Sequence, residues 1–205
     1  MNLTRLGFLV SGRGSNMEAI INACVSGALK AKPAVVISNN AEAGALHIAK
    51  NRKIPAYHLS SKTHPDPDQL DKAITEIMKN HQVDLVILAG YMKLVGHGLL
   101  EKYKNRVINI HPSLLPRHGG KGMYGINVHR AVITAGEKQT GVTVHLVNNK
   151  YDEGLILAQR TIDVAADDTA ESLAGRVLRV EHSLYIEILQ DIINGKIDLL
   201  QTRSK

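Results

Sequence analysis

The sequence predicts an α/β protein with a doubly wound, mostly parallel sheet, an antiparallel C-terminal extension and a long C-terminal helix. Three observations carry this prediction. Short apolar runs alternate with stretches whose apolar residues recur every three or four positions, as when crossover helices join parallel strands. The run Asp84–Ala89 (DLVILA) is apolar almost throughout, as strands covered on both faces are. Near the C-terminus, Thr140–Val147 (TGVTVHLV) alternates with period two, and Leu155–Val164 reads as its antiparallel return strand.

Taken in order, Leu6–Val10 (LGFLV) is a buried strand. The turn Ser11–Asn16 (SGRGSN) leads into a helix marked by Met17, Ile20, Ile21, Cys24 and Val25, and Ser15 with Glu18 makes a capping-box pattern. A glycine-bearing turn at a helix N-terminus presents free N–H groups and the positive end of the helix dipole. Gly14, Ser15 and Asn16 are therefore candidates to hold a single phosphate. A dinucleotide fingerprint would need a third glycine where Met17 stands and an acid about 20 residues on. The next strand, Ala34–Ile37, ends in Ser38-Asn39-Asn40, which excludes NAD, and G-K-[ST] is absent from the turn, which excludes a P-loop.

A helix over Gly44–Lys50, a strand over Pro55–Leu59 and a polar loop over Ser60–Pro67 follow. Asp68–Asn80 carries Leu70, Ile74, Ile77 and Met78 on one helical face. The loop Gly90–Leu94 leaves the C-terminal end of the Asp84–Ala89 strand, where open α/β sheets bind ligands. Val107–His111 (VINIH) is the next strand, ended by Pro112. Asn109 and His111 lie two residues apart and share a strand face. Arg117–Gly125, with glycines at 119, 120, 122 and 125, reads as a mobile loop, and Asn127–Ala135 as a helix. Asp152 falls in the connection Asn148–Gly154; by itself it reads as a turn residue. The last helix is capped by Asp168 with Glu171, runs through Leu173, Val177, Val180, Leu184, Ile188 and Ile192, contains Glu181, and stops at Asn194-Gly195. Gln201–Lys205 reads as a frayed tail.

Bulk properties narrow the function. The 205 residues suit one domain, with 44% hydrophobic and 21% charged residues. Only 3% are aromatic and there is no Trp, which argues against binding single-stranded nucleic acid by stacking. A net charge of +6 favours phosphorylated or polycarboxylate small molecules. The single cysteine, Cys24, allows no internal disulfide and suits a core position. Leu6–Val10 is too short to span a membrane and lacks a signal-peptide layout, so a cytoplasmic protein without membrane or nucleic-acid partners, monomer or homodimer, is expected. No metal-ligand spacing occurs among the ten histidines; most, such as His145, are expected to be structural or exposed.

Six motifs then coincide: SGRGSN, AGYM, NIHPSLLP, GVTVHLV, YDEG with ILAQ, and RVLRVEHSLY. In this order and spacing the chain resembles the folate-dependent formyltransferases over nearly its whole length. Its SGRGSN and EHSLY segments resemble the phosphoribosylglycinamide formyltransferases of purine synthesis. The resemblance implies a Rossmann-like formyltransferase fold over 1–205, with a phosphate-binding half (1–104) and a catalytic, folate-binding half (105–205). It implies transfer of a formyl group from 10-formyltetrahydrofolate, the co-substrate, to the amine of N1-(5-phospho-D-ribosyl)glycinamide, without a metal. Asn109, His111 and Asp152 would be catalytic. Gly14, Ser15 and Asn16 would hold the phosphate, and Glu181 would help bind the ribonucleotide. Met92, Lys93, Leu94, Val95, Asn109, Asn148, Asn149, Lys150, Tyr151 and Asp152 would form the folate pocket.

The chemistry suits those residue types. An amine attacking a formyl carbon generates an oxyanion, which needs aimed donors. The Asn109 amide and a protonated His111 would supply them; Asp152 would favour the charged imidazole and help remove the amine's proton. Asp152 is therefore expected within hydrogen-bonding or one-water reach of His111. The pattern departs from the family at Pro67, where an arginine that contacts folate is frequent, and in the longer, glycine-richer loop after Pro116. Three rivals differ in stated ways. A methionyl-tRNA formyltransferase is expected to carry a further C-terminal tRNA domain. A sugar-nucleotide formyltransferase would differ in the SGxGSN loop. A non-catalytic folate- or nucleotide-binding protein would not require Asn109, His111 and Asp152 together.

Overall fold

The computed structural model describes residues 3–199; the expected tail Gln201–Lys205 lies outside them. Seven strands form one sheet: β1 (Thr4–Val10), β2 (Ala31–Ser38), β3 (Ala56–His58), β4 (Leu85–Leu88), β5 (Val107–His111), β6 (Gln139–Leu146) and β7 (Ile156–Asp163). Their order is β3-β2-β1-β4-β5-β6-β7. Pairing is parallel from β3 to β5 and antiparallel at β5–β6 and β6–β7. Six helices complete the chain: α1 (Ser15–Val25), α2 (Gly44–Asn51), α3 (Pro67–Asn80), α4 (His97–Lys102), α5 (Ile126–Thr134) and α6 (Ala170–Ile193).

Period-two alternation sends each central strand into two cores. Phe8, Val10, Ile87, Ile108 and Ile110 pack with Met17 and Ile20 of α1, Val132 of α5, and Leu184 and Tyr185 of α6. Leu9, Val86 and Leu88 pack on the other face with Ile74 and Met78 of α3 and Leu99 of α4. Fully burying each such side chain contributes about 1.5–3 kcal/mol, which is why these strands are apolar in both registers. Cys24 is half-buried against the first core, and burial pushes its thiol up to about 11.

Four local expectations are corrected. The N-cap of α1 is Gly14, with φ 85°, and no side chain caps it. Ser15 is already inside the helix, and the Glu18 N–H bonds to the Gly14 carbonyl at 2.8 Å, so no capping box forms. The N-cap of α6 is Thr169 rather than Asp168: Thr169 Oγ1 accepts from the Ser172 N–H at 3.1 Å and Ser172 Oγ accepts from the Thr169 N–H at 2.9 Å. Asp168, one residue earlier, accepts from the Ala165 N–H at 2.8 Å and pairs with Arg176 at 2.9 Å. Helix α4 was not foreseen. It is only 6 residues long, and its first N–H groups are satisfied from α3, where Asp71 accepts from Gly98 N at 2.6 Å and Leu99 N at 3.2 Å. Finally, β2 begins at Ala31, before Pro33; the ladder with β1 shifts register there because proline has no N–H to donate.

Pro67 occupies the first turn of α3, behind Asp66, whose Oδ1 accepts from Asp68 N at 2.8 Å. Among the described residues no helix is long and apolar enough to cross a membrane. The single O–H of the buried Tyr185 is shared between the carbonyls of Ile108 (2.8 Å) and Leu88 (3.1 Å), tying α6 to β4 and β5 beneath the end of the sheet. Tyr185→Phe leaves these carbonyls without that donor and is expected to cost about 1–2 kcal/mol, read as a lower urea midpoint at unchanged slope.

Candidate active site

Strand β5 buries Ile108 and Ile110 and turns Asn109 and His111 to its other face. The antiparallel register places His145 of β6 opposite Asn109. His145 is 2% exposed and does not line the cavity, as suits a structural residue, but it stands directly behind Asn109. Its Nδ1 bonds to the Leu146 carbonyl at 2.8 Å. A carbonyl only accepts, so Nδ1 carries the proton, and in the neutral ring Nε2 accepts from Asn109 Nδ2 at 3.0 Å. That fixes which way the Asn109 amide faces and leaves its second N–H unused.

Asp152 reaches the same place from the β6–β7 connection, with φ 57°, a left-handed conformation that aspartate tolerates. Its Oδ2 lies 3.5 Å from His111 Nδ1 and accepts from the Gly120 N–H at 2.8 Å, while Oδ1 is 3.7 Å from His145 Nε2. The carboxylate and the imidazole are thus within the expected reach. Gly120 belongs to the loop read as mobile, and the same loop supplies the His118 carbonyl, which accepts from His111 Nε2 at 2.9 Å.

Burial and neighbouring charge compete at His111. Burial pushes its pKa down and outweighs Asp152 and the His118 carbonyl, both of which raise it; His145 and His118 add to the lowering. The imidazole is therefore neutral at rest, with its proton on Nε2. For Asp152 burial acts upward and is outweighed by His145, His111 and the Gly120 N–H, so its pKa is lowered; the two histidines contribute only when protonated toward the carboxylate, whereas the Gly120 N–H acts whatever their charge. Of these partners, the Gly120 N–H is the one within hydrogen-bond distance.

At the start of α1, the N–H groups of Ser15, Asn16 and Met17 precede the first intrahelical bond. Gly14 fits closely here: a Cβ would lie 2.7 Å from that of Ala45. Asn16 and Glu181, assigned separate tasks from the sequence, are joined. Asn16 Nδ2 donates to Glu181 Oε2 at 2.5 Å, and Asn16 Oδ1 is buried without a partner. Burial raises the Glu181 pKa, partly offset by the Asn16 bond.

These groups open on one cavity of about 520 Å³. Of the sequence-predicted residues, Ser15, Asn16, Met92, Lys93, Asn109, His111, Tyr151, Asp152 and Glu181 line it. Gly14, Leu94, Val95, Asn148, Asn149 and Lys150 do not: Val95 packs in the core, Leu94 is exposed, and Asn148 accepts from the Lys150 N–H within its own turn. The cavity also takes in Arg13, the loop Gly120–Gly125 and His129, which sequence reasoning did not assign to it. The period-two pattern of TGVTVHLV places Thr143 and His145 on one face, but only the register puts that face beside Asn109. Among the described residues no group of three His, Cys, Asp or Glu side chains is placed to hold a metal ion.

His129 on α5 is 4% exposed, and its Nδ1 is buried with no hydrogen-bond partner. Burial, reinforced by His111, pushes its pKa down to about 4. The unfolded chain takes up a proton near 6.5 that the folded protein refuses until about 4. Stability is thus full above 6.5 and falls as pH drops from 6.5 to 4, by about 2 kcal/mol after allowance for solvent screening. Between about pH 7 and pH 4.5, the urea midpoint of His129→Gln should fall less than that of the wild type.

A family model described as formyl transferase matches residues 4–189. The chloroplastic phosphoribosylglycinamide formyltransferase of Vigna unguiculata is 42% identical over 194 residues, covering 94% of this chain and 62% of that protein. The chain likewise spans only 66% of the Arabidopsis thaliana chloroplastic relative. The Haemophilus influenzae phosphoribosylglycinamide formyltransferase is 34% identical over 197 residues, 96% of this chain and 91% of that one. The crystal structure of glycinamide ribonucleotide transformylase 1 from Symbiobacterium toebii matches with a TM-score of 0.89 at 38% identity, covering 96% of this chain and 90% of that one. With the parallel sheet, its antiparallel extension and the cavity at the end of β5, this match places the chain in the formyl transferase family, among relatives named phosphoribosylglycinamide formyltransferases.

Proposed function

We propose that this chain transfers the formyl group of 10-formyltetrahydrofolate to the amine of N1-(5-phospho-D-ribosyl)glycinamide in de novo purine synthesis. The observation that carries the reading is the network of Asn109, His145, Asp152 and His111, which opens on the same cavity as the N-terminus of α1. The N–H groups of Ser15 and Asn16, behind the tight turn at Gly14, hold the phosphate, with Arg13 lining the same cavity. Glu181, buried and anchored by Asn16, accepts from hydroxyl groups of the ribonucleotide. The folate lies along Met92, Lys93 and Tyr151, on loops whose flanks are Leu94, Val95 and Asn148–Lys150; the Met92 N–H is itself held by Ser11 Oγ at 2.9 Å.

The amine attacks the formyl carbon as a neutral nucleophile. Charge then develops on the formyl oxygen, and the free N–H of Asn109 is the donor already oriented for it. The nitrogen becomes cationic on attack and must lose a proton. Ionised Asp152 receives it, directly or through water, and His111 Nδ1 is the adjacent basic atom. A proton on Nδ1 makes His111 an imidazolium beside Asp152, and its charge then stabilises the oxyanion. The proton finally passes to the departing folate nitrogen. The formyl group arrives already activated on the folate, so the scheme calls for no metal.

The two halves, 1–104 and 105–205, divide phosphate binding from formyl transfer in this reading. Both substrates are soluble small molecules, and we place the reaction in the cytoplasm, carried out by a monomer or homodimer. The test mixes protein, 10-formyltetrahydrofolate and glycinamide ribonucleotide and follows deformylation of the folate. His111→Ala and Asp152→Asn should each lose at least about 100-fold in kcat with unchanged circular dichroism. Near wild-type turnover in either variant would remove the assigned roles. Turnover only on charged initiator tRNA would replace the acceptor.

A further inference from the structure

Both ring nitrogens of His111 face protein groups, and the two partners pull its proton in opposite directions. Asp152 Oδ2 lies 3.5 Å from Nδ1, and its negative charge by itself favours a proton there. The His118 carbonyl, 2.9 Å from Nε2, can only accept and so holds the proton on Nε2. The proton uptake proposed for Nδ1 depends on that carbonyl staying in place.

The carbonyl belongs to a residue with φ 53°, a left-handed conformation that is uncommon for a non-glycine residue. One carboxylate grips this segment through two consecutive side chains. Glu137 Oε1 lies 3.4 Å from His118 Nε2, and Glu137 Oε2 lies 3.3 Å from Arg117 Nη1. Glu137 lies just past the C-cap Ala135 and Gly136 of α5, and its N–H bonds to the Val132 carbonyl at 3.3 Å, so the grip is referred to a packed helix. On the inner side, Ser113 Oγ donates to the Arg117 carbonyl at 2.6 Å and the Gly120 N–H donates to Asp152 at 2.8 Å. Among the described residues, Glu137 alone holds Arg117 and His118 by their side chains.

We propose that Glu137 is a positioning residue for His111: by gripping Arg117 and His118 it sets the backbone carbonyl that keeps the His111 proton on Nε2 and leaves Nδ1 open opposite Asp152. The proposal rests on the reading of His111 as part of the reacting site.

The test compares wild type, Glu137→Ala and Glu137→Gln by 15N spectra of histidine-labelled protein, with His111→Ala to assign the His111 signals, and by steady-state kinetics. Wild type should show Nε2 protonated and Nδ1 bare. E137A should move both His111 signals toward a mixture of tautomers and lose about tenfold in kcat, with each KM within about twofold. E137Q keeps an oxygen acceptor for His118 and should restore most of both readouts. An unchanged His111 tautomer in E137A, a change confined to KM, or no rescue by E137Q would overturn the proposal. Wild-type protein without formyl transfer would instead overturn the proposed function, while the tautomer comparison would still decide the role of Glu137.

Discussion

The antiparallel pairing of β5 with β6 is the constraint on which the rest of the site depends. Up to β5 the sheet is parallel, and its successive strands are joined by crossovers. At β5 the direction reverses, so a neighbouring strand can present its own side chains opposite Asn109 and His111. The register is decisive. A slip of one residue would turn His145 to the other face and leave the Asn109 amide without its partner. The β6–β7 connection then folds back over the same face to bring Asp152 between His145 and His111.

Within that frame, backbone carbonyls decide protonation. The Leu146 carbonyl places the His145 proton on Nδ1, which makes Nε2 an acceptor and orients Asn109. The His118 carbonyl places the His111 proton on Nε2, which leaves Nδ1 toward Asp152. Carbonyls do not titrate, so these settings hold while the side chains exchange protons. Burial works in the same direction by disfavouring an imidazolium at rest, although it does not prevent Asp152 from staying ionised. The resting pair is thus a neutral base beside an anion, prepared to take up a proton rather than already holding one.

The opposite wall of the cavity follows the same economy. Asn16 gives one of its two amide N–H groups to Glu181, so the side chain that looked like a phosphate donor also steadies a buried carboxylate from α6. Anion binding is left to the unpaired N–H groups of the first turn of α1, which no intrahelical bond can use. The glycine-rich loop contributes through its backbone: His118 and Gly120 each make one bond to the reacting pair.

Local sequence determined a good deal. Periods of two and three to four residues specify the strands and most helices, because burial on one face is a property of neighbouring residues. The two-residue spacing puts Asn109 and His111 on one side of β5, and the glycine turn before α1 was legible for the same local reason. Tertiary structure alone decided what depends on distant partners. The N-terminal N–H groups of α4 are satisfied by Asp71 from α3, and Asn16 is claimed by a residue on α6. The register of β6 brings in His145, and the depth of burial outweighs Asp152 in setting the charge of His111. Register, desolvation and long-range hydrogen bonds are sums over the assembled molecule, and no short stretch of chain contains them.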